Sequence, residues 1–144
     1  PIMDEDLEHE KGIPDNAVKL ARLIASHDAI LICTAEYNGS IPPLLKNTID
    51  WCSRQAPGEG PLAAFRGKAC ALLAASPGQL GGLRGLVTVR SILGNIGVLL
   101  LPDQIAVPKA HEAFAPDGTL KDPRQLESVR GLGEKLVRLT ERLA

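Results

Sequence analysis

Two short stretches concentrate the residue types from which a site for a flat, polar ligand can be built. The first, AEYNGS at residues 35–40, lies within TAEYNGSIPPLLKNTIDWCS, which holds the only tyrosine and the only tryptophan of a chain with 3% aromatic residues. Asn38-Gly39 permits positive φ, Ser40 is placed to cap a following helix, and Pro42 and Pro43 suit that helix's first turn, where a missing N–H matters least. Such a reversal leaves main-chain N–H and C=O groups free to grip the polar edge of a heterocycle. On local grammar alone, an ordinary loop before a capped helix explains it too. The second stretch is SPGQLGG at residues 76–82, where Gly78, Gly81 and Gly82 let the main chain come close to a partner. No lysine completes a phosphate-binding GxxxxGK[ST] pattern and the spacing is not GxGxxG, so phosphate chemistry is excluded for it. A flexible turn and one wall of a planar-ligand pocket both remain open.

Other chemistries find little support. Cys33, Cys52 and Cys70 are odd in number, widely spaced and set in apolar surroundings, which reads as small buried hydrophobes in a reducing compartment. His9, His27 and His111 are scattered, so zinc-ligand spacings are absent and no metal site is expected. Sixteen basic residues against 17 acidic ones give a net charge of −1, with no footprint for nucleic acid or anionic lipid. No apolar run approaches the length of a membrane span, and the opening PIMDEDLEHEKG is acidic where a signal peptide is basic and then apolar. The expectation is a cytoplasmic protein with neither nucleic acid nor membrane as a partner.

The surrounding pattern supplies elements that could hold the two stretches. At 144 residues with 44% hydrophobic content, the chain fits one domain with a real core. Apolar residues 17, 20, 21 and 24 recur with helical period over 15–26, with Asp15 or Asn16 available as cap. AILICTA (29–35) and KACALLAAS (68–76) are continuous apolar runs, the pattern of strands buried on both faces, and VLLLPDQIAV (98–107) is a third, interrupted by Pro102. Helices are expected over 41–53, 82–97 and the amphipathic segment from Pro123, where Gly131 and Gly133 weaken the pattern. The first dozen residues read as loop. Runs alternating with helices argue an α/β fold with a parallel sheet, in which ligands bind outside the strands' carboxyl ends. Both stretches fall there. Residues 54–67 and 108–123 are long connections, suited to function or subunit contact.

The string Ala35-Glu36-Tyr37-Asn38-Gly39-Ser40-Ile41-Pro42, followed by Leu45-Lys46-Asn47 and Ile49-Asp50-Trp51, resembles the signature PEYNGSIPxxLKNxIDW of the NAD(P)H-dependent FMN reductases, a group including quinone, azo and chromate reductases. SPGQLGGLRG resembles that family's second flavin-side loop and AHEAFAPDGTLKD its loop before the last helix, so the likeness spans essentially the whole chain. Ala35 departs from the family's proline.

The resemblance implies a flavodoxin-like fold of sheet order 2-1-3-4-5, with FMN as cofactor and NADPH or NADH as co-substrate. It implies electron transfer to a quinone or similar small acceptor, and association as a homodimer or homotetramer. Catalytic side chains are not required, because the chemistry is the cofactor's. Glu36, Tyr37, Asn38 and Gly39 are the implied contacts to the flavin ring, with Ser76, Pro77, Gly78 and Gly81 on the other side of the site. Arg84 is assigned either to a nicotinamide phosphate or to a subunit contact, and Trp51 either to an interface or to the edge of the core. Nothing in residues 1–144 matches the family's phosphate loop after strand 1. The expectation is therefore an N-terminally incomplete domain carrying strands 3, 4 and 5. A flavodoxin-like electron carrier is a competing reading, disfavoured by few rings and low charge. A non-catalytic fragment with impaired FMN binding is another.

Overall fold

The computed structural model describes residues 1–143, in the order α1 (Glu5–Lys11), α2 (Asp15–Ala25), β1 (Ala29–Thr34), α3 (Pro43–Cys52), β2 (Ala69–Ala75), α4 (Leu83–Asn95), β3 (Leu99–Val107), α5 (Ala110–Ala113) and α6 (Pro123–Leu143). The strands form one parallel sheet, β1-β2-β3. These are the three runs expected from the sequence, adjacent and in the expected order.

Alternation along β2 explains the layers. Cys70, Leu72 and Ala74 face one way, into a cluster with Ala21 of α2, Ile49 and Cys52 of α3, and Leu86, Val89 and Leu93 of α4. Ala69, Ala71 and Leu73 face the other way, onto Leu132 and Leu136 of α6. A strand covered on both faces has no use for polar positions, hence the unbroken apolar run.

The same reading fails for β1, an edge strand in this sheet. Ile30 and Ile32 pack into the helical layer, but Leu31 is 53% exposed and Cys33 is exposed as well. α6 lies mainly along β2 and β3 and covers only part of β1's second face. Cys52 and Cys70 are buried as expected, and burial pushes the Cys70 thiol up to about 12.

Pro102 interrupts β3 in a definable way. The register passes from Cys70 opposite Leu100 to Leu72 opposite Gln104, so β3 carries two extra residues there, as expected where proline offers no ladder N–H. Arg90 of α4 bonds across the irregularity, donating to the Leu101 carbonyl at 2.9 Å and to Gln104 Oε1 at 3.1 Å.

The first dozen residues are not loop. Asp4 caps α1 by accepting from the Leu7 N–H at 3.0 Å, a pattern of short acidic helix with little periodicity to announce it. The segment is held by residues far along the chain: Glu8 pairs with Arg54 at 2.7 Å, and the Pro1 carbonyl accepts from both Asn47 Nδ2 and Trp51 Nε1 at 3.0 Å. Trp51, 4% exposed, is thus a core-edge residue with its indole N–H satisfied. Two expected caps are also replaced. Pro14 precedes α2, so Asp15 and Asn16 lie inside or at its first turn, and Pro42 is the N-cap of α3 because the Ser40 backbone is engaged in a turn. α6 runs unbroken through Gly131 and Gly133. Among the described residues no helix is long and apolar enough to cross a membrane, and no group of three or more His, Cys, Asp or Glu could hold a metal ion.

Candidate functional site

Three loops meet at the carboxyl end of the sheet. The first follows β1. Tyr37 and Ser40 pair across a two-residue reversal, Tyr37 N–H to Ser40 O at 2.9 Å and Ser40 N–H to Tyr37 O at 3.0 Å. Asn38 and Gly39 both have positive φ, 52° and 79°, the conformation that makes Asn-Gly the favoured pair for so tight a turn. The Asn38 and Gly39 amides donate to no protein group among the described residues, and the Tyr37 ring is exposed.

The Glu36 side chain turns inward instead of toward the open face and is only 6% exposed. Its Oε2 accepts the N–H groups of Arg84 at 3.1 Å and Gly85 at 3.4 Å, at the start of α4. Its Oε1 accepts from the Arg84 guanidinium, Nε at 2.8 Å and Nη2 at 2.5 Å. One carboxylate therefore pins the first loop to the second across 48 positions of sequence. Gly85 makes this approach possible, since a Cβ there would stand 3.3 Å from the Ser40 carbonyl oxygen and 3.5 Å from that of Ala35.

The Arg84 hydrogen bond, followed by the Gly85 amide and the Arg84 charge, holds the Glu36 carboxyl below its ordinary value. The stabilisation this provides is fully present above the unfolded glutamate value, about 4.3, and is lost as pH falls through the lower folded value. We expect wild type to exceed Glu36→Gln in urea midpoint by a constant gap from neutral pH down to about 5, closing below about 4. A gap that persists unchanged in stronger acid would remove this role from the pair.

The second and third loops are joined by main-chain bonds. Ser76 N–H donates to Val107 O at 3.2 Å, Lys109 N–H to Gly78 O at 3.2 Å, and Ala110 N–H to Ser76 O at 3.0 Å. Gly81, φ 59°, leaves no room for a side chain: a Cβ would lie 2.6 Å from Pro108 N and Val107 C. Gly82 is confined likewise by Ala74. Ser76 is half-buried, with Oγ accepting from the Gly78 N–H at 3.3 Å, and Pro77 and Gly78 form an exposed rim. Of the residues singled out by sequence, Tyr37, Asn38, Gly39, Pro77 and Gly78 are on the open side, while Glu36 and Gly81 hold the loops from behind.

Sequence reasoning missed Lys109 and the lining of a hollow. Lys109 adopts φ 48° and ψ 47°, a left-handed conformation uncommon for a residue with a Cβ. Beneath the loops lies an apolar hollow of ≈ 400 Å³ lined by Thr34, Leu73, Ala75, Val107, Phe114 and Val129 among others. Only the apolar residues inside an otherwise polar 108–123 segment signalled it. The larger hollow, ≈ 500 Å³, shares no residue with the three loops.

The residues fit the ring end of an FMN. A rigid turn with two free amides can meet the polar edge of the ring, and glycine-shaped backbone can pass close to its plane. They do not fit its phosphate. The start of α4 is already taken by the Glu36 carboxylate, and α3 begins with Pro42 and Pro43, which carry no N–H. The first turn of α4 therefore has no amide left for a phosphate, and the cap and first position of α3 have none to offer.

A family model described as NADPH-dependent FMN reductase matches residues 1–112. The chain is 35% identical over 131 residues to an NAD(P)H-dependent FMN reductase of Pseudomonas aeruginosa, covering 90% of this chain and 68% of that protein. It is 41% identical over 101 residues to a quinone reductase of Escherichia coli K12, covering 70% of this chain and 51% of the relative. The solved structure of a flavoenzyme NAD(P)H:(acceptor) oxidoreductase from Paracoccus denitrificans matches with a TM-score of 0.80 at 30% identity, over 99% of this chain and 75% of that one. The chain thus spans about half to two thirds of the length of these curated relatives, and the three-stranded α/β arrangement is flavodoxin-like.

Proposed function

The chain belongs to the NADPH-dependent FMN reductase family, and from that membership we propose that it serves electron transfer from NADPH or NADH through FMN to a quinone or similar small acceptor. The observation that carries the reading is the exposed turn at residues 37–40, its Asn38 and Gly39 amides free and its base fixed by Glu36 on α4. When bound, FMN supplies both the hydride-accepting and the electron-donating chemistry.

The chain's own residues orient and hold. The Asn38 and Gly39 N–H groups would meet the polar edge of the ring, and donors fixed beforehand stabilise charge that builds there without reorganising. Tyr37 flanks that edge. Ser76, Pro77 and Gly78 would bound the opposite side, at a distance set by Gly81 against β3. Glu36 acts through Arg84 and the α4 amides rather than by touching the ring. No side chain is asked to move a proton. Residues 1–144 are read as one flavodoxin-like domain, working in the cytoplasm as a homodimer or homotetramer. The exposed rim suits exchange with a diffusing acceptor better than the ring-covered flavin of a carrier.

The test is a visible spectrum of the protein titrated with FMN. Uptake with a perturbed flavin spectrum, bleaching by NADPH and recovery on adding a quinone are expected. A protein that takes up no FMN sinks the reading; one that takes it up but is not bleached is a carrier.

A further inference from the structure

Lys109 is an unfavourable choice for its position. Its φ of 48° and ψ of 47° are fixed by main-chain bonds: its N–H donates to Gly78 O at 3.2 Å, and its carbonyl accepts from the Glu112 N–H at 2.8 Å and the Ala113 N–H at 3.1 Å. None of these bonds uses the side chain. Glycine or asparagine would make all of them with less strain. Residues with a Cβ that are held in such conformations collect where a side chain is needed at a site.

The side chain of Lys109 offers one uncommitted charge. It is exposed, and it pairs with no carboxylate among the described residues: Glu36 is taken by Arg84, and Glu112 lies 3.2 Å from the His111 imidazole. The N–H groups of Gly78, Gly81, Lys109 and Ala110 are spent within the loops, and Pro77 has none. Those amides therefore cannot join the ammonium in a phosphate cradle. A lone ammonium is a point charge that suits a singly charged carboxylate or sulfonate. Leu80, 50% exposed on the same loop as Gly78, adds apolar surface for a ring that carries such a group.

We propose that Lys109 is a specificity residue that favours singly charged anionic aromatics, carboxylated or sulfonated quinones, as electron acceptors at the rim formed by the second and third loops. This rests on the reductase reading, which supplies the acceptor's role. The quinone takes up two electrons and two protons, as the hydride of the nicotinamide and one proton from solvent, and leaves as the hydroquinone with its anionic group unchanged. Lys109 transfers nothing and acts through its charge alone.

The experiment compares a sulfonated naphthoquinone with its uncharged methyl counterpart as acceptors for the full chain, with FMN present, in wild type, Lys109→Asn and Lys109→Glu. The readout is the ratio of kcat/KM for the two acceptors, in which any general effect on the flavin or the reductant cancels. Lys109→Asn should lower that ratio about twofold to fivefold, the range of a partly exposed charge contact, and Lys109→Glu should lower it further. The loss should lie in KM for the sulfonate and not in kcat. Raising the salt concentration should shrink the wild-type preference. Asparagine tolerates the left-handed region, so its urea midpoint should not fall below that of wild type, and the lost selectivity is then no sign of a damaged fold. Lys19→Gln is the control: it removes the same charge beside the hollow that shares no residue with the three loops, and its ratio should match wild type. A ratio unchanged in Lys109→Asn and Lys109→Glu overturns the proposal. So does an equal fall in Lys19→Gln, which assigns the effect to net charge. Calorimetry with the oxidised sulfonate and no reductant separates this proposal from the reading beneath it. A protein that takes up no FMN, yet loses sulfonate affinity in Lys109→Glu, keeps Lys109 as the anion contact and defeats the reductase reading. One that reduces both quinones with the ratio untouched by Lys109→Glu does the reverse.

Discussion

Gly81→Ala is expected to destabilise the protein by roughly 2–5 kcal/mol and to abolish FMN uptake in what remains folded. The backbone contribution comes from φ 59°, which for a residue with a Cβ costs about 1–2 kcal/mol. The steric contribution is separate. A Cβ would sit 2.6 Å from Pro108 N and Val107 C and 2.8 Å from Val107 N, all main-chain atoms that no rotamer change can move aside, and overpacking of this kind costs about 1–3 kcal/mol. Relief requires the second loop to lift from the end of β3. That movement would strain the bonds from Ser76 to Val107 and from Lys109 to Gly78, which hold the second and third loops together. For a chain of this size the loss corresponds to a fall of roughly 5–15 °C in Tm. Gly78→Ala is the control, because a Cβ there meets only Ser76 Oγ, at 3.7 Å; its stability should stay within about 0.5 kcal/mol of wild type. Urea unfolding of the two variants checks the contrast, and equal midpoints would show that the loop does not depend on Gly81.

The second large effect belongs to Leu86→Ala. Leu86 is fully buried on the inner face of α4, in the cluster that includes Leu72, Val89 and Leu93. Truncation leaves a cavity in a layer built from three helices and a sheet, and such losses run to about 2–5 kcal/mol. Against a total stability of about 5–15 kcal/mol this is a large fraction. The expected signature differs from that of Gly81→Ala. Leu86→Ala should lower the urea midpoint with little change in slope, while the folded fraction keeps the site, since Glu36 bonds to the Arg84 and Gly85 amides at the helix start and not to the buried face. Val87→Ala, one residue on but 62% exposed, should change stability by no more than about 0.5 kcal/mol. FMN affinity lost in Leu86→Ala at temperatures where it is folded would mean that α4 carries the site through its packing as well as its first turn.

Much of the architecture was legible in the sequence because its signals are local. The all-apolar β2 run, the helical period of α2 and α6, and the Asn38-Gly39 reversal each need only neighbouring residues to declare themselves, and each is found as expected. Three readings failed for the same reason. β1 was taken as buried on both faces because its composition is that of β2, but exposure depends on which helix crosses it, and α6 covers it only in part. Ser40 was read as a helix cap from its position alone, and the pairing with Tyr37 took its backbone elsewhere. α1 gave no apolar stripe because the segment is held by polar bonds to residues more than 40 positions away, Glu8 of α1 to Arg54 and Pro1, just before the helix, to Asn47 of α3.

The sequence by itself determined the fold class, the family signature and the loops that would meet at the strand ends. It also assigned Glu36 and Gly81 to one list with Tyr37 and Asn38, since a motif records which residues occur and not where their side chains go. Only the tertiary structure separated them. Glu36 turns away from the open face because Arg84 and the free amides of α4 are brought within hydrogen-bonding distance by the sheet order, 48 residues along the chain. Gly81 is fixed by the main chain of β3, which the parallel pairing of β2 and β3 places against it. Charge pairing and close packing act through space, and the chain's local pattern carries no measure of which distant groups folding will make neighbours.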